Sequence, residues 1–278
     1  LLAFQSGRPR AHTSVTLHYR IFTGTHIRLS KMKQQRIGKR LVLFPLPLQG
    51  HQTPMLQLAS ILYSKGFSIS IVHTHLNSPN PANYPHFNFH PIPELLEGKA
   101  WTEDVIALLN TFNVSCVAPF RYLLRQMLSE SAAAGEPVAC LITDAMWHFT
   151  QAVADSLQLP RIVLRTSNLT SFLSFTSLSL LREKGYLSAK GFQLEESVPE
   201  LPPLKLKDIP VLCTSNPRAA DELVYNLVEK TRASKGLIFN SFEELEGSSM
   251  AMIHKDISVQ FLQLAHFTNK FQLPAVAC

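Results

Sequence analysis

Short apolar runs typical of β-strands alternate along this chain with stretches whose apolar positions recur at helical spacing. The strand-type runs lie at about 40–46, 67–72, 87–90, 138–143, 161–165 and 236–240. The helix-type stretches lie at about 54–64, 101–112, 120–128, 147–157 and 218–232, and a proline-rich loop region occupies 185–210. Strands that alternate with helices form a parallel sheet covered on both faces. The pattern therefore predicts an α/β fold with a doubly wound, Rossmann-like parallel sheet.

The junction after the first predicted strand carries the first candidate for chemistry. Gly50 and His51 fall in a short predicted loop, Pro54 suits the first turn of the next helix, and Gly66 suits its C-terminal cap. This order places His51 at the carboxyl end of a strand, where open α/β sheets bind ligands. Because histidine titrates near neutral pH, we interpret His51 as a candidate general base.

Composition and charge limit the classes of protein to which this chain can belong. Apolar residues make up 46% of the 278 residues, which is enough for a sizeable core. The formal charge of +6 is concentrated in residues 1–40, which hold nine Lys and Arg and no acidic residue. Subtracting those nine from 26 leaves 17 basic against 20 acidic side chains in the remainder, a balance of −3. This balance argues against a nucleic-acid partner.

Two further expectations concern membrane insertion and the cellular compartment of the protein. No run of 18 apolar residues occurs, so the sequence predicts no membrane span. The four cysteines have no paired spacing, which favours reduced thiols in a cytoplasmic protein over a disulfide framework or a zinc site.

The amino-terminal segment has no periodic apolar face, and we expect residues 1–39 to be a disordered leader. An organelle transit peptide is an alternative, because arginine, serine and threonine occur there without acidic residues. Met32 is a natural start and is followed by polar residues, which favours a leader without structure.

Three polar residues each follow the carboxyl end of a different predicted strand: His51, Asp144 and Thr166. Those ends share one edge of a parallel sheet, so the three side chains can converge. A carboxylate behind a histidine fixes its tautomer and stabilises the imidazolium that forms when it accepts a proton. Structural roles are the alternative: His51 as a hydrogen-bonded loop residue, and Asp144 as the N-cap of the helix near Trp147.

Other chemistries have less support. The single glycine after the first strand argues against the glycine-rich loop of a nicotinamide or flavin site, and neither a Walker A motif nor a Gly-x-Ser-x-Gly elbow is present. No cysteine or carboxylate pattern accompanies His73, His75, His86 and His90, so we predict no metal site.

Several segments, taken together, resemble plant small-molecule UDP-glycosyltransferases of glycosyltransferase family 1. They lie, in family order, at 43–59, 74–81, 142–145, 164–168 and 236–246. The resemblance runs from about Arg40 to about Asp256 and implies the amino-terminal, acceptor-binding half of a GT-B fold. It also implies inverting transfer of a sugar from a UDP-sugar to a small-molecule acceptor, with the UDP-sugar as co-substrate and no cofactor.

The resemblance also implies roles for individual residues. His51 matches the base that deprotonates the acceptor, Asp144 matches the aspartate paired with that base, and Thr166 matches a contact of the donor sugar. Four more residues fall in segments that border the acceptor pocket in the family: Gln49, Gly50, Asn77 and Ser167.

The chain departs from the family in its last part. The family's signature box, which holds UDP and contains a His-Cys-Gly-Trp-Asn-type run, has no match in this sequence. We therefore expect an acceptor-binding domain at 40–257, an aberrant tail at 258–278, and no donor-binding domain. The predicted function is that of a truncated UDP-glycosyltransferase, inactive alone, that binds UDP-sugar only when the missing domain is supplied. The alternative is a non-catalytic acceptor-binding or pairing module.

Overall fold

The computed structural model describes residues 38–93, 104–188, 191–210, 212, 214–241, 243–256 and 260–263. Within these residues the strands are β1 (Arg40–Phe44), β2 (Ser68–Thr74), β3 (Asn88–Ile92), β4 (Val138–Asp144), β5 (Arg161–Arg165), β6 (Gly236–Phe239) and β7 (Gln260–Gln263). The expected leader at 1–39 lies outside the described residues, apart from its last two positions.

The α-helices of the described residues are α1 (Gln49–Ser64), α2 (Val105–Ser115), α3 (Val117–Ala133), α4 (Thr150–Ser156), α5 (Leu169–Thr176), α6 (Leu178–Glu183), α7 (Pro217–Arg232) and α8 (Glu243–Asp256). Short 3₁₀ helices occupy Pro81–Asn83, Tyr186–Ser188, Gly191–Glu195 and Leu206–Asp208. The last three lie in the region predicted to be rich in loops.

The strands form one sheet in the order β3-β2-β1-β4-β5-β6-β7, and every neighbouring pair is parallel. The strand order reverses beside β1, which lies between β2 and β4. Such a reversal opens a crevice at the carboxyl ends of the strands, where doubly wound sheets bind ligands. The predicted fold class is therefore confirmed.

Both faces of the central strands β1, β2, β4, β5 and β6 are buried, as expected for parallel strands covered by helices on each side. Leu41 and Leu43 of β1 pack on one face with apolar residues of α1. Val42 and Phe44 alternate with them and pack on the other face against α2 and α3. The Phe44 ring stacks on Trp147 with the centroids 4.4 Å apart. This alternation fixes the register of β1 in the sheet, and its parallel pairing with β2 and β4 places its carboxyl end at the same edge as theirs.

Two boundaries differ from the predictions in ways that affect the candidate site. Helix α1 begins at Gln49, not near Pro54, so Gly50 and His51 lie in its first turn instead of a loop. The Leu48 carbonyl accepts hydrogen bonds from the amides of His51 and Gln52, both at 2.9 Å, and these bonds close the turn early. Pro54 removes a single bond of the helix, the one to the Gly50 carbonyl.

Elements not predicted from the sequence also appear. Helices α5 and α6 follow β5, and β7 pairs in parallel with β6 inside the segment expected to be an aberrant tail. The sheet therefore extends past the boundary expected at residue 257. No helix in the described residues is long and apolar enough to cross a membrane. In the same residues, no three His, Cys, Asp or Glu side chains form a group able to hold a metal ion.

Candidate active site

His51 and Asp144 are in contact at the carboxyl edge of the sheet. His51 lies in the first turn of α1, Asp144 ends β4, and Nδ1 of the ring lies 2.7 Å from Oδ2 of the carboxylate. Oδ1 of Asp144 accepts the amide of Met146 at 2.9 Å. The predicted N-cap alternative for Asp144 is therefore wrong: α4 begins at Thr150, and Asp144 caps the turn before it.

This geometry selects one tautomer of His51. An ionised carboxylate can only accept hydrogen bonds, so Nδ1 of His51 carries the proton toward Asp144. Nε2 of the neutral ring then keeps its lone pair and can accept a proton from a bound group. The Asp144 side chain is 1% exposed, whereas 22% of the His51 side chain remains exposed. The carboxylate is thus held inside the protein while the imidazole reaches the surface of the crevice.

Thr166 joins the pair from the loop after β5. Its Oγ1 lies 3.2 Å from the same Nδ1 of His51. Residues from α1, β4 and the end of β5 therefore meet at one point, although 93 and 115 residues separate His51 from its two neighbours in the sequence. The parallel topology produces this meeting by bringing the carboxyl ends of β4 and β5 side by side.

Opposing influences set the protonation of His51. Burial lowers the pKa of His51, but the hydrogen bond and the negative charge of Asp144 outweigh burial and leave the pKa above its ordinary value of 6.5. The positive charge of Arg165 acts against Asp144 and lowers the pKa. The ring is thus a base strengthened by a carboxylate and weakened by burial and, to a smaller extent, by a cation.

An apolar cavity of about 200 Å³ opens beside His51. Helices α2, α5 and α7 supply most of its wall, together with residues that follow β1 and β4. Its lining includes Leu46, Leu109, Met146, Phe175, Leu223 and Leu227. Its lining favours an apolar molecule, and His51 is the one residue with a titratable side chain in it.

The other candidate residues lie near His51 but not in the wall of this cavity. Gln49 and Gly50 are exposed in the first turn of α1. Asn77 has a left-handed φ of 47°, its amide Nδ2 donates to the Pro47 carbonyl at 2.9 Å, and its own carbonyl accepts from Gln52. Ser167 Oγ accepts a hydrogen bond from Arg165 at 3.3 Å. Roles for these four residues in binding the acceptor remain predictions.

The sequence reasoning missed two residues of this region. Arg165 ends β5 and is 2% exposed, and Phe175 of α5 is part of the cavity wall. Arginines at both ends of a short strand with an apolar middle are a feature that sequence inspection can detect. Phe175 belongs to a helix that was not predicted, so its place in the wall had no sequence signal of its own.

Comparison with known proteins finds plant UDP-glycosyltransferases that are similar in sequence. The chain matches no protein-family model. It is 46% identical over 206 residues to UDP-glycosyltransferase 76B1 of Arabidopsis thaliana, covering 74% of this chain and 45% of that protein. It is 41% identical over 233 residues to UDP-glycosyltransferase 76G1 of Stevia rebaudiana, covering 80% and 50%.

Solved structures share the fold. One is the complex of 3,4-dichloroaniline with a UDP-glucosyltransferase from Polygonum tinctorium that is capable of glucosylating indoxyl. It aligns with a TM-score of 0.66 at 20% identity, and the alignment covers 85% of this chain and 54% of that chain. Phytolacca americana UGT2, complexed with UDP-2-fluoro-glucose and pterostilbene, aligns with a TM-score of 0.65 at 20% identity, over 86% and 56%. The chain is therefore a homologue of the plant UDP-glycosyltransferases, and it spans about half the length of the curated relatives it matches.

Proposed function

We propose that this chain provides the acceptor-binding half of an inverting UDP-glycosyltransferase that transfers a sugar from a UDP-sugar to a small plant metabolite. The observation that carries the proposal is the contact between His51 Nδ1 and Asp144 Oδ2 at the wall of an apolar cavity. A base held in one tautomer beside a pocket suited to a small molecule is the arrangement required for activating a hydroxyl group.

The chemistry follows from the free nitrogen of His51. Nε2 takes the proton of the acceptor hydroxyl while its oxygen attacks the anomeric carbon of the UDP-sugar. The bond from that carbon to the UDP oxygen breaks, UDP leaves, and the configuration at the carbon inverts. Asp144 stabilises the imidazolium that forms. In this proposal Thr166 contacts the donor sugar, and no cofactor or metal ion takes part.

The shape and lining of the cavity define the acceptor in outline. A cavity of about 200 Å³ with apolar walls accommodates a compact apolar body with one nucleophilic group turned toward His51. The aromatic molecules named for two structural neighbours, pterostilbene and 3,4-dichloroaniline, are of this kind. We include Gln49, Gly50, Asn77 and Ser167 in the proposal as residues that border the acceptor outside this wall.

Binding of the UDP-sugar forms a separate part of the proposal. A UDP leaving group needs donors for its diphosphate, such as helix amides or a cation. The 278 residues contain no match to the family's UDP-binding box. We therefore propose that residues 40–257 act with a second, donor-binding domain, and that these 278 residues alone do not transfer sugar. A cytoplasmic location belongs to the same proposal and rests on the unpaired spacing of the cysteines.

The test uses the chain alone and the chain joined to the donor-binding half of a UDP-glycosyltransferase relative. Calorimetric titration of the chain alone with millimolar UDP-glucose should give no binding. In the joined protein, His51→Ala should lower turnover with a hydroxyl acceptor by about 10²–10⁴-fold. His86→Ala is the control, because His86 is exposed and stacks on Tyr63 away from the site. Unchanged turnover in His51→Ala would show that the assigned base is wrong.

A non-catalytic acceptor-binding or pairing module is the second candidate. The pair and the cavity are intact in a sequence without a UDP-binding box, and this combination suits a protein that binds acceptors only. Sugar transfer in the joined protein separates the two functions. A joined protein that binds both pterostilbene and UDP-glucose but transfers no sugar would favour the module.

A further inference from the structure

A buried asparagine on α2 contacts the backbone segment that follows Asp144. Asn113 is 5% exposed, and it is the one polar residue among the buried residues of α2. A buried amide group is destabilising unless its donors and its acceptor are hydrogen-bonded. An apolar side chain of similar size would fill the same place without that requirement. The contacts of Asn113 show what its amide group provides.

The side chain of Asn113 uses all of its hydrogen-bonding groups. Its Nδ2 donates to the Leu109 carbonyl, one turn earlier in α2, and to the Met146 carbonyl, both at 2.9 Å. Its Oδ1 accepts the amide of Phe149 at 3.3 Å. Two carbonyls and one amide need two donors and one acceptor, which fixes the orientation of the side-chain amide. Asn113 thus holds the segment between β4 and α4 at two points.

That segment also fixes Asp144. The amide of Met146 donates to Asp144 Oδ1 at 2.9 Å, and the amide of Trp147 donates to the Asp144 carbonyl at 3.1 Å. Met146 is therefore held on both sides of its Cα, at its carbonyl by Asn113 and at its amide by the Asp144 carboxylate. The two planar peptide groups meet at this Cα, so a rotation of one of them displaces the other.

Hydrogen bonds thus run in series from α2 to the first turn of α1. Asn113 Nδ2 donates to the Met146 carbonyl, and the Met146 amide donates to Asp144 Oδ1. The other oxygen of Asp144, Oδ2, accepts from His51 Nδ1 at 2.7 Å. The hydrogen bonds of an imidazole decide which of its nitrogens carries the proton in the neutral ring. The last bond of the series places that proton on Nδ1 and leaves Nε2 free.

The series of hydrogen bonds also touches the cavity beside His51. Leu109 and Met146 both line this cavity, and Asn113 bonds the carbonyls of both. A molecule in the cavity therefore contacts two residues whose backbone positions are tied to the Asp144 carboxylate. The wall that receives the acceptor and the group that orients the base are parts of one hydrogen-bonded unit.

We propose that Asn113 is a positioning residue of the His51–Asp144 pair, which acts through the backbone of Met146 to keep the Asp144 carboxylate turned toward the ring. The proposal rests on the proposed function in that His51 is taken as the base. Without Asn113 the segment after β4 relaxes, the carboxylate rotates away from Nδ1, and the proton of the neutral ring moves to Nε2. A ring with its proton on Nε2 cannot take a proton there from the acceptor.

The test determines which nitrogen of His51 carries the proton, by ¹⁵N NMR of the histidine-labelled 278-residue chain at a pH where the ring is fully neutral. His51→Ala identifies the signals of this ring by their loss. In the wild type we expect the proton on Nδ1. In Asn113→Leu, which has a similar size but no polar group, we expect a larger fraction of the proton on Nε2. We also expect a lower thermal unfolding midpoint, because the Phe149 amide and the Met146 carbonyl lose their partner.

Two further variants separate orientation from stability. Leu128→Ala is the control, because Leu128 of α3 packs half-buried against the same core and its loss should lower the unfolding midpoint. In this control the proton should stay on Nδ1. In Asn113→Ser the hydroxyl can bond the Leu109 carbonyl, as Thr111 bonds the Ala107 carbonyl at 2.9 Å, but it is one bond too short to reach Met146. This variant should move the proton in the same direction as Asn113→Leu.

The opposite results would overturn the proposal. A proton that stays on Nδ1 in folded Asn113→Leu or Asn113→Ser shows that Asn113 does not orient the pair. An equal shift of the proton in Leu128→Ala shows that lost stability alone moves it. Failure of both Asn113 variants to fold assigns Asn113 to stability instead.

The proposed function is tested separately. In the joined protein, Asn113→Leu should lower kcat by a smaller factor than His51→Ala and should leave KM for UDP-glucose unchanged. The NMR measurement involves no sugar transfer. If His51→Ala retained full turnover, the proposed function would fail while the effect of Asn113 on the ring still stood.

Discussion

Nδ1 of His51 lies 2.7 Å from Oδ2 of Asp144, across 93 residues of sequence. The contact joins the first turn of α1 to the last residue of β4. Because Oδ1 of the same carboxylate accepts the Met146 amide, Asp144 cannot turn away from the ring without losing that bond. The pair is therefore held by the backbone on one side and by the imidazole on the other.

Replacement of Asp144 by Asn should lower the pKa of His51 below 6.5. The hydrogen bond to a carboxylate and its negative charge both raise the pKa and are removed, whereas burial and Arg165 remain and both lower it. NMR titration of the ring measures the change. Asp155→Asn is the control, because Asp155 lies in α4 and accepts from Gln151. An unchanged His51 pKa in Asp144→Asn would contradict the assigned coupling.

The same substitution has a predicted pH dependence of stability. A folded-state pKa above 6.5 means that His51 in the wild type stabilises the fold fully below pH 6.5, and that this contribution is lost as pH rises through the folded pKa. The difference in free energy of unfolding between the wild type and Asp144→Asn should therefore be largest below pH 6.5. Urea unfolding at several pH values tests this, and an equal loss at all pH values would disagree with it.

Gly50→Ala tests whether the backbone at that position must remain open to an acceptor. Gly50 lies in the first turn of α1, and a Cβ there would meet nothing within 4 Å. We expect alanine to raise the free energy of unfolding by about 0.5 kcal/mol, since glycine weakens helices. Weaker pterostilbene binding in this more stable variant would support the predicted acceptor role. Gly135→Ala is the control. Its free energy of unfolding should fall by about 1 kcal/mol, because Gly135 has a left-handed φ of 72°.

Phe175→Ala should enlarge the acceptor cavity. Phe175 and Val224 line both the cavity beside His51 and a second cavity of about 210 Å³ between α5, α6 and α7. Removing the ring should join the two spaces, so that pterostilbene binds more tightly relative to the smaller 3,4-dichloroaniline. Tyr225→Ala is the control, because Tyr225 lines only the second cavity and is 66% exposed. An unchanged ratio of the two dissociation constants would show that Phe175 does not limit the cavity.

Glu246→Ala should reduce the free energy of unfolding by about 2 kcal/mol, the worth of hydrogen bonds to a buried charged group. The carboxylate accepts the amides of Leu169 and Thr170, both at 3.0 Å, at the first turn of α5, and also the Ser241 hydroxyl. Without Glu246 these donors lose their acceptor, and those of Leu169 and Ser241 are buried. Glu229→Ala, an exposed partner of Arg232, should change stability by less than about 0.5 kcal/mol. Urea unfolding compares the two variants, and equal losses would contradict the assigned role of Glu246.

The periodic pattern determined the α/β class and most of the sheet. The strand of 161–165 was predicted with its observed bounds, and Asp144 was placed correctly at the end of its strand. Gly66, predicted as a helix cap, has the left-handed φ of 98° that such a cap requires. These features are local, because the period of apolar positions and the conformational freedom of glycine are properties of neighbouring residues.

Tertiary structure decided what the local pattern could not. The cavity beside His51 depends on the packing of α2, α5 and α7, and α5 had no predicted counterpart. The contacts of His51 with Asp144 and Thr166 form only because β4 and β5 pair and bring their carboxyl ends beside α1. Periodicity reports which face of an element is buried, whereas the distances between side chains arise when elements far apart in the chain pack together.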